Sequence, residues 1–157
     1  EACQGRSYKD KTPVFGVMNY KGEIRTRVVP NTQAETLQPI IKEMVAKGSI
    51  LITDEWMAYN NLEKDYKRIV VKHNEGNYAS GVFSSNNVEN FWSHMKRGIY
   101  GIYHQVSPEH LHRYCTEFEF RFNSRKISCF ERFDMVLQKS ENKRLMYKDL
   151  IKPKATS

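Results

Sequence analysis

The chain has 157 residues, of which 39% are hydrophobic and 27% charged, and this composition is that of one folded domain with a core. No apolar run approaches the length of a membrane span and the polar first residues do not resemble a signal peptide, so a membrane protein is excluded and a cytoplasmic one is expected. Three cysteines without paired spacing exclude a Cys/His zinc pattern and favour a reducing compartment. Cys115 falls among apolar helix positions and is expected in the core.

The net charge of +7 is concentrated in the second half of the chain. Residues 1–90 contain 12 Lys/Arg and 11 Asp/Glu, whereas residues 91–157 contain 13 and 7. Such a basic half favours a polyanionic partner such as nucleic acid, although many basic proteins bind none.

The first half of the chain alternates strands and helices. Residues 1–12 form a polar arm, and a hairpin follows whose turn is Lys21-Gly22, with Gly16 placed for close approach of another backbone. Asn31 or Thr32 is a candidate cap for the next helix. The predicted elements are strands over 12–20 and 23–29, a helix over 34–46, a strand over 49–53, a short helix or loop over 56–62, and a strand over 66–73.

The strand over 49–53 is short and apolar, which predicts a central strand covered on both faces. It ends directly on Asp54, so this carboxylate is expected at the strand's C-terminal tip.

The helix that begins near Asn87 divides into two faces. An apolar stripe spans an arc of roughly 100° and should bury against the core. Glu89 and Lys96 lie just off the edge of that stripe. An ordinary solvated Glu and Lys remain an alternative to a functional pair. The stripe consists of Val88, Phe91, Trp92, Met95 and Ile99.

Two further helices complete the predicted fold. The first is expected to begin with Ser107 as cap and Pro108 as its first residue, and it contains a Glu117–Arg121 pair at i, i+4. The second covers residues 129–139, and residues 144–157 form a basic tail. The whole pattern is mixed α/β in a single domain over 1–157.

Asp54 and Glu89 could together hold a metal ion. Carboxylate oxygens suit Mg²⁺ or Mn²⁺, and two such ions about 4 Å apart can activate a nucleophile and stabilise the leaving oxygen of a phosphodiester. The alternative is that Asp54 caps the following turn and Glu55 is solvated.

Four segments resemble the IS1595 family of insertion-sequence transposases, which has an ISXO2-like catalytic domain. They are TPVFG, ITDEWMAYNNL, NNVENFWSHMKRGIYGIYHQVS and HLHRYCTEFEFRFNSR. The resemblance implies a ribonuclease-H-like mixed sheet flanked by helices. It also implies a DDE-type enzyme that cleaves and joins double-stranded DNA at transposon ends with Mg²⁺ or Mn²⁺. Such an enzyme is expected to have no membrane partner and to act as a homodimer at the bacterial nucleoid.

The resemblance also assigns roles to individual residues. Asp54 and Glu89 resemble the second and third catalytic acids and metal ligands, and Asn86 resembles a polar residue that joins the site. Lys96 resembles a basic residue that contacts a DNA phosphate. The remaining DNA-binding candidates are Arg97, His104, Arg121 and Arg125; Glu117 is expected to orient Arg121 and leave Arg125 free for DNA.

The sequence departs from the family in two places. The family's first catalytic aspartate precedes a Q-G-R-S segment, and here the chain begins just before Gln4-Gly5-Arg6-Ser7. We therefore expect the first strand and its aspartate to be absent, and Asp10 does not replace it. Ser84 stands where the family usually has a His. The expected function is that of a transposase catalytic domain, with a catalytically inactive DNA-binding remnant, or a nuclease or resolvase on the same fold, as alternatives.

Overall fold

The computed structural model describes residues 11–71 and 86–151, except for the side chains of Asn86 and Asp149. The predicted arm, the loop that contains Ser84, the Gln4–Ser7 segment, Asp10 and the end of the tail lie outside these residues. The described elements are β1 (Val14–Met18), β2 (Ile24–Val28), α1 (Ala34–Met44), β3 (Ile50–Thr53), β4 (Lys67–Val70), α2 (Asn86–Gly98), α3 (Leu111–Asn123), α4 (Cys129–Ser140) and α5 (Tyr147–Leu150).

The fold is mixed α/β, as predicted. Strands β1 and β2 form an antiparallel hairpin in which Val14 pairs with Val28 and Met18 with Ile24. Strands β3 and β4 form a separate parallel pair in which Ile50 faces Lys67. Within the described residues these are two two-stranded sheets, so the mixed α/β class is confirmed and the joining of the strands in one sheet stays a prediction.

The hairpin turn has the predicted chemistry. Gly22 has a φ of 79°, a left-handed conformation that a glycine adopts without a steric penalty. The side-chain oxygen of Asn19 accepts hydrogen bonds from the backbone N–H groups of Lys21 and Glu23, each at 3.0 Å. The turn is therefore stabilised locally, which explains why its sequence was sufficient to locate it.

One face of the hairpin is covered by α2 and α3. Ile24, Phe91, Met95, Cys115 and Phe122 form a buried cluster there, which confirms the apolar stripe of α2 and the core position of Cys115. Burial raises the pKa of the Cys115 thiol to about 11, so this thiol stays protonated at neutral pH.

Polar side chains of α3 fasten β2 beneath that cluster. Asn123 donates to the carbonyl of Ile24 and accepts from its N–H, while Glu119 accepts from the backbone and hydroxyl of Thr26. These contacts satisfy backbone groups on the side of β2 away from β1, where no other described strand pairs with it.

The other face of the hairpin packs against α1. Val29 and Leu37 are buried there, and Phe15 contacts both this cluster and a neighbouring one formed by Ile41, Leu62 and Tyr66. Arg27 of β2 forms a bidentate ion pair with Glu43 of α1 at 2.6 and 2.7 Å.

Two details of the predicted local structure are wrong, and a third is right only in part. Neither Asn31 nor Thr32 caps α1: the cap position is Gln33 without a side-chain bond, although Asn31 accepts from the Gln33 N–H just outside the helix. Ser107 and Pro108 hold the predicted N-cap and first positions, but of a 3₁₀ turn over Pro108–His110 that precedes α3, and the Ser107 side chain makes no cap bond. Strand β3 is not covered on both faces, since Ile50 is half exposed.

Gly16 does have a neighbour that requires a glycine, but the neighbour is a side chain and not a second backbone. A methyl group added at Gly16 would lie 2.7 Å from the Trp92 ring of α2, whereas one added at Gly101 would meet nothing within 4 Å.

We therefore expect Gly16→Ala to lower the free energy of unfolding by about 1–3 kcal/mol, the usual cost of overpacking a core. Urea denaturation followed by tryptophan fluorescence measures this change. Gly101→Ala is the matched control and should stay within about 0.5 kcal/mol, as surface substitutions do. Equal stability of the two variants would show that the Trp92 ring does not pack closely enough against Gly16 to exclude a methyl group.

Candidate active site

Asp54 lies where the sequence predicts it, directly after the last residue of β3. The Asp54 side chain is exposed, and one carboxylate oxygen accepts a hydrogen bond from the Trp56 N–H at 3.1 Å. This is the capping interaction foreseen as the alternative to a metal ligand, and Glu55 is exposed as that alternative also required. The two roles are compatible, since a carboxylate has a second oxygen with which to bind a cation.

Arg68 of β4 braces the segment that carries Asp54. Its guanidinium donates to the Thr53 hydroxyl at 3.0 Å and to the Asn60 and Glu63 side chains at 3.1 and 2.9 Å. Only 5% of the Arg68 side chain is exposed. The role of Arg68 was not predicted from the sequence. The one signal for it is that an Arg stands inside a short strand, directly before the apolar residues Ile69 and Val70.

We expect Arg68→Met to lower the free energy of unfolding by about 2 kcal/mol. The substitution removes three hydrogen bonds that a charged and largely buried guanidinium donates. Arg25→Met is the control, since Arg25 is exposed on β2. Chemical denaturation of both variants checks this expectation. A stable Arg68→Met protein would mean that the loop after β3 is ordered by other contacts.

Aromatic residues surround the same loop. The indole N–H of Trp56 donates to the Thr32 carbonyl at 3.1 Å. Burial raises the pKa of Tyr59 to about 12, and the negative charge of Asp54 adds to the shift. Tyr59 therefore remains a neutral packing residue, while half of Trp56 stays exposed beside Asp54.

Helix α2 presents the second acid. Glu89 is exposed in the first turn of α2, and Lys96 and Arg97 are exposed in its last turn. Phe91 and Met95 are buried on the opposite side and hold the helix to the hairpin. Asn86 is the first residue of α2, and its side chain lies outside the described part of the structure.

The two acids lie on different parts of the fold. Asp54 follows β3, which pairs with β4, whereas Glu89 lies on the helix that covers the hairpin. Within the described part of the chain neither acid forms an ion pair, and a shared metal ion stays a prediction. Among residues 11–71 and 86–151 no three His, Cys, Asp or Glu side chains lie close enough together to hold a metal ion.

Glu117 of α3 joins two neighbours, as a positioning residue would. It pairs with Arg121 at 2.7 Å, which confirms the predicted i, i+4 pair, and it accepts a hydrogen bond from the Tyr103 hydroxyl at 2.7 Å. The bond to Glu117 raises the pKa of Tyr103. Arg121 is consequently held in place while its guanidinium remains largely accessible to solvent.

Arg125 is not free, contrary to the prediction. Its guanidinium donates to the Gly22 carbonyl at 3.1 Å and to the Phe122 carbonyl at 2.8 Å, and it lies 4.1 Å from the centre of the Phe122 ring. These contacts fasten the hairpin turn to α3, so the first role of Arg125 is structural. Its contact with DNA stays a prediction.

The profile of the ISXO2-like transposase domain matches residues 2–123. The chain belongs to the IS1595 family of transposases. An uncharacterized transposase-like protein of Haemophilus influenzae is 35% identical over 108 residues, which cover 68% of this chain and 86% of that relative. No solved structure matches.

The remaining candidates of this transposase domain lie at the end of α2 and beyond it. A π-helical turn over Ile99–Tyr103 extends α2, and His104 follows it, exposed and with a φ of 58°. His94 lies 3.4 Å from Arg97 across one turn of α2. No helix within the described ranges is long and apolar enough to cross a membrane.

Proposed function

We propose that this domain is the catalytic part of a DDE-type transposase. It would use Mg²⁺ or Mn²⁺ to cleave a phosphodiester at the transposon end and then join the freed 3′ hydroxyl to target DNA, acting as a homodimer on DNA in the bacterial cytoplasm. The observation that carries this proposal is the family match over residues 2–123, which includes both acids and four of the five proposed DNA-binding residues.

The two acids suit a hard cation. Both carboxylates are exposed, and the turn after β3 uses only one oxygen of Asp54. Mg²⁺ usually keeps several waters and takes one or two protein carboxylates, so Asp54 and Glu89 would hold one ion weakly through its water shell. When bound, the metal would activate the attacking oxygen and stabilise the leaving one.

The other residues would position DNA. Lys96 and Arg97 would contact phosphates beside Glu89, and Asn86 would contribute a polar group at the start of the same helix. Arg121 would contact the backbone in the orientation that Glu117 gives it. Phosphate contacts of this kind fix register and orientation and leave the chemistry to the metal site.

A ribonuclease-H-like sheet is part of the same proposal. Within the described residues β1 pairs with β2 and β3 with β4, and one further strand between β1 and β3 would join the pairs into one mixed sheet. Phe15 of β1 and Leu51 of β3 pack against the same buried cluster, which supports neighbouring positions for the two strands.

A metal-binding measurement tests the site directly. Electron paramagnetic resonance of Mn²⁺ titrated into the chain should reveal weak binding that is lost in Asp54→Asn and in Glu89→Gln. The controls Asp134→Asn and Glu35→Gln remove exposed carboxylates elsewhere and should leave binding unchanged. Binding that survives loss of either Asp54 or Glu89 would exclude the shared site.

A strand-transfer assay tests the reaction itself. The protein as its gene encodes it should join a labelled duplex, carrying the DNA that flanks that gene, to a supercoiled plasmid in Mn²⁺. Cleavage without joining would assign the domain to the nucleases or resolvases, and binding without cleavage would assign it to inactive DNA-binding remnants.

A further inference from the structure

Helix α4 carries an apolar stripe on its outward side. Phe130, Phe133 and Leu137 recur at intervals of three and four residues and therefore share one face. Their side chains are 83%, 61% and 50% exposed. Three adjacent large apolar side chains on one exposed helix face indicate a surface for a partner, not scattered surface residues.

The attachment of α4 to the domain uses the opposite side, which carries Arg132, Lys139 and the half-buried Met135. Arg132 donates to the Ser124 carbonyl at 3.0 Å, and the Lys139 ammonium lies 5.2 Å from the centre of the Phe120 ring in α3. At about 100° per residue, Arg132 and Lys139 fall on the side of α4 opposite Phe130. An ordinary surface helix turns its apolar side inward, whereas α4 leaves most of its large apolar side chains exposed.

The arm that follows α4, residues 143–151, is a second unpartnered apolar surface. It includes α5, and the Tyr147 side chain is 76% exposed. The arm's other exposed large apolar residues are Leu145, Met146, Leu150 and Ile151.

The two surfaces are complementary in charge. Asp134 and Glu141 border the stripe of α4, and both side chains are exposed. The arm contains Lys143, Arg144 and Lys148 against a single acid. A basic apolar arm therefore matches an acid-edged apolar helix face, and opposite charges at the rim orient such a contact.

We propose that the two surfaces bind each other between two copies of the chain, so that the arm of each copy packs on the α4 stripe of the other. Exchange of this kind makes the same contact twice around a two-fold axis, and the dimer is closed. Within one copy the arm leaves the stripe uncovered, whereas a second copy covers both surfaces at once.

The surface is large enough for a dimer. The aromatic side chains Phe130, Phe133 and Tyr147, counted in both copies, supply on the order of 900 Å² of exposed area at 150–250 Å² per ring. The aliphatic residues of stripe and arm add to this, and a standard stable interface buries about 1,600 Å² in total. The surface lies beyond residues 2–123, which the family profile matches, so the inference does not depend on the catalytic proposal.

Sedimentation velocity without DNA tests the assembly, and two charge-reversed variants identify its surfaces. One variant carries Asp134→Lys and Glu141→Lys, and the other carries Arg144→Glu and Lys148→Glu. Each alone should raise the dimer dissociation constant by about a hundredfold or more, since like charges then meet in both contacts. The control Glu35→Lys with Glu109→Lys makes the same charge change on exposed positions elsewhere and should leave the dimer intact.

An equimolar mixture of the two variants separates exchange from folding back. In a mixed dimer one contact is wild-type and the other has both charges reversed, so the mixture should dimerise as the wild type does. If the mixture stays monomeric while a single chain that carries all four substitutions forms dimers again, the arm binds its own α4 and the proposal is wrong. A wild-type chain that is monomeric at every concentration, or a dimer unaffected by either variant, overturns it as well.

A second pair of variants tests the apolar contact. Phe133→Ser with Leu137→Ser should abolish the dimer and leave the circular dichroism spectrum unchanged, because both side chains are exposed in the monomer. Met57→Ser removes an even more exposed apolar residue far from α4 in sequence and should have no effect. A dimer that persists without Phe133 and Leu137 excludes the stripe as its interface.

Discussion

Asp54→Asn or Glu89→Gln is expected to lower DNA cleavage on the order of a thousandfold while DNA binding stays within about twofold. A catalytic metal contributes several kcal/mol of transition-state stabilisation, and each 1.36 kcal/mol corresponds to a factor of ten in rate. Both side chains are exposed, so the substitutions should not disturb the core. The measurement is end cleavage in Mn²⁺ by the protein as its gene encodes it, with binding measured separately in Ca²⁺.

The controls for this experiment are Glu109→Gln and Glu35→Gln, which make the same carboxylate-to-amide change at other exposed positions. Both should cleave as the wild type does. Parallel loss of binding and cleavage in the Asp54 and Glu89 variants would indicate a folding or DNA-contact role. Full activity of either variant would remove that acid from the site.

Binding to DNA is expected to weaken by about 40-fold or more when salt rises from 50 to 200 mM. The three cations Lys96, Arg97 and Arg121 would neutralise three phosphates, and each contributes about −0.9 to the slope of log K against log salt. Fluorescence anisotropy with a labelled duplex at several salt concentrations gives this slope. A flat response would exclude phosphate contacts as the source of affinity.

Single substitutions should distinguish these cations from Arg125 by how much each one changes the salt slope. Lys96→Ala, Arg97→Ala and Arg121→Ala should each reduce the slope by about 1. Arg125→Ala should reduce it less, because its guanidinium already donates to two carbonyls of the domain. The controls Lys42→Ala and Lys47→Ala remove cations that pair with Asp65 and should leave the slope unchanged. A slope lowered equally by the control substitutions would place the DNA elsewhere.

The sequence by itself determined those features that depend on neighbouring residues. The hairpin turn at Gly22, the apolar side of α2 and the Glu117–Arg121 pair were all predicted and are all present. Each depends on a turn conformation or on the periodicity of one helix, and the interacting groups lie within a few residues of each other. The family could be recognised for a related reason, since its motifs are continuous stretches of sequence.

Only the tertiary structure decided the contacts between distant segments. Arg125 meets the carbonyl of Gly22 across 103 positions of the chain, and Gly16 lies against the Trp92 ring. Arg68 became the brace of the Asp54 loop because parallel pairing brings β4 beside β3. A long cationic side chain has many possible partners of similar energy, and packing of the core selects among them. The outward stripe of α4 is explained in the same way, since an apolar helical period shows that one side is apolar but not which side meets the domain.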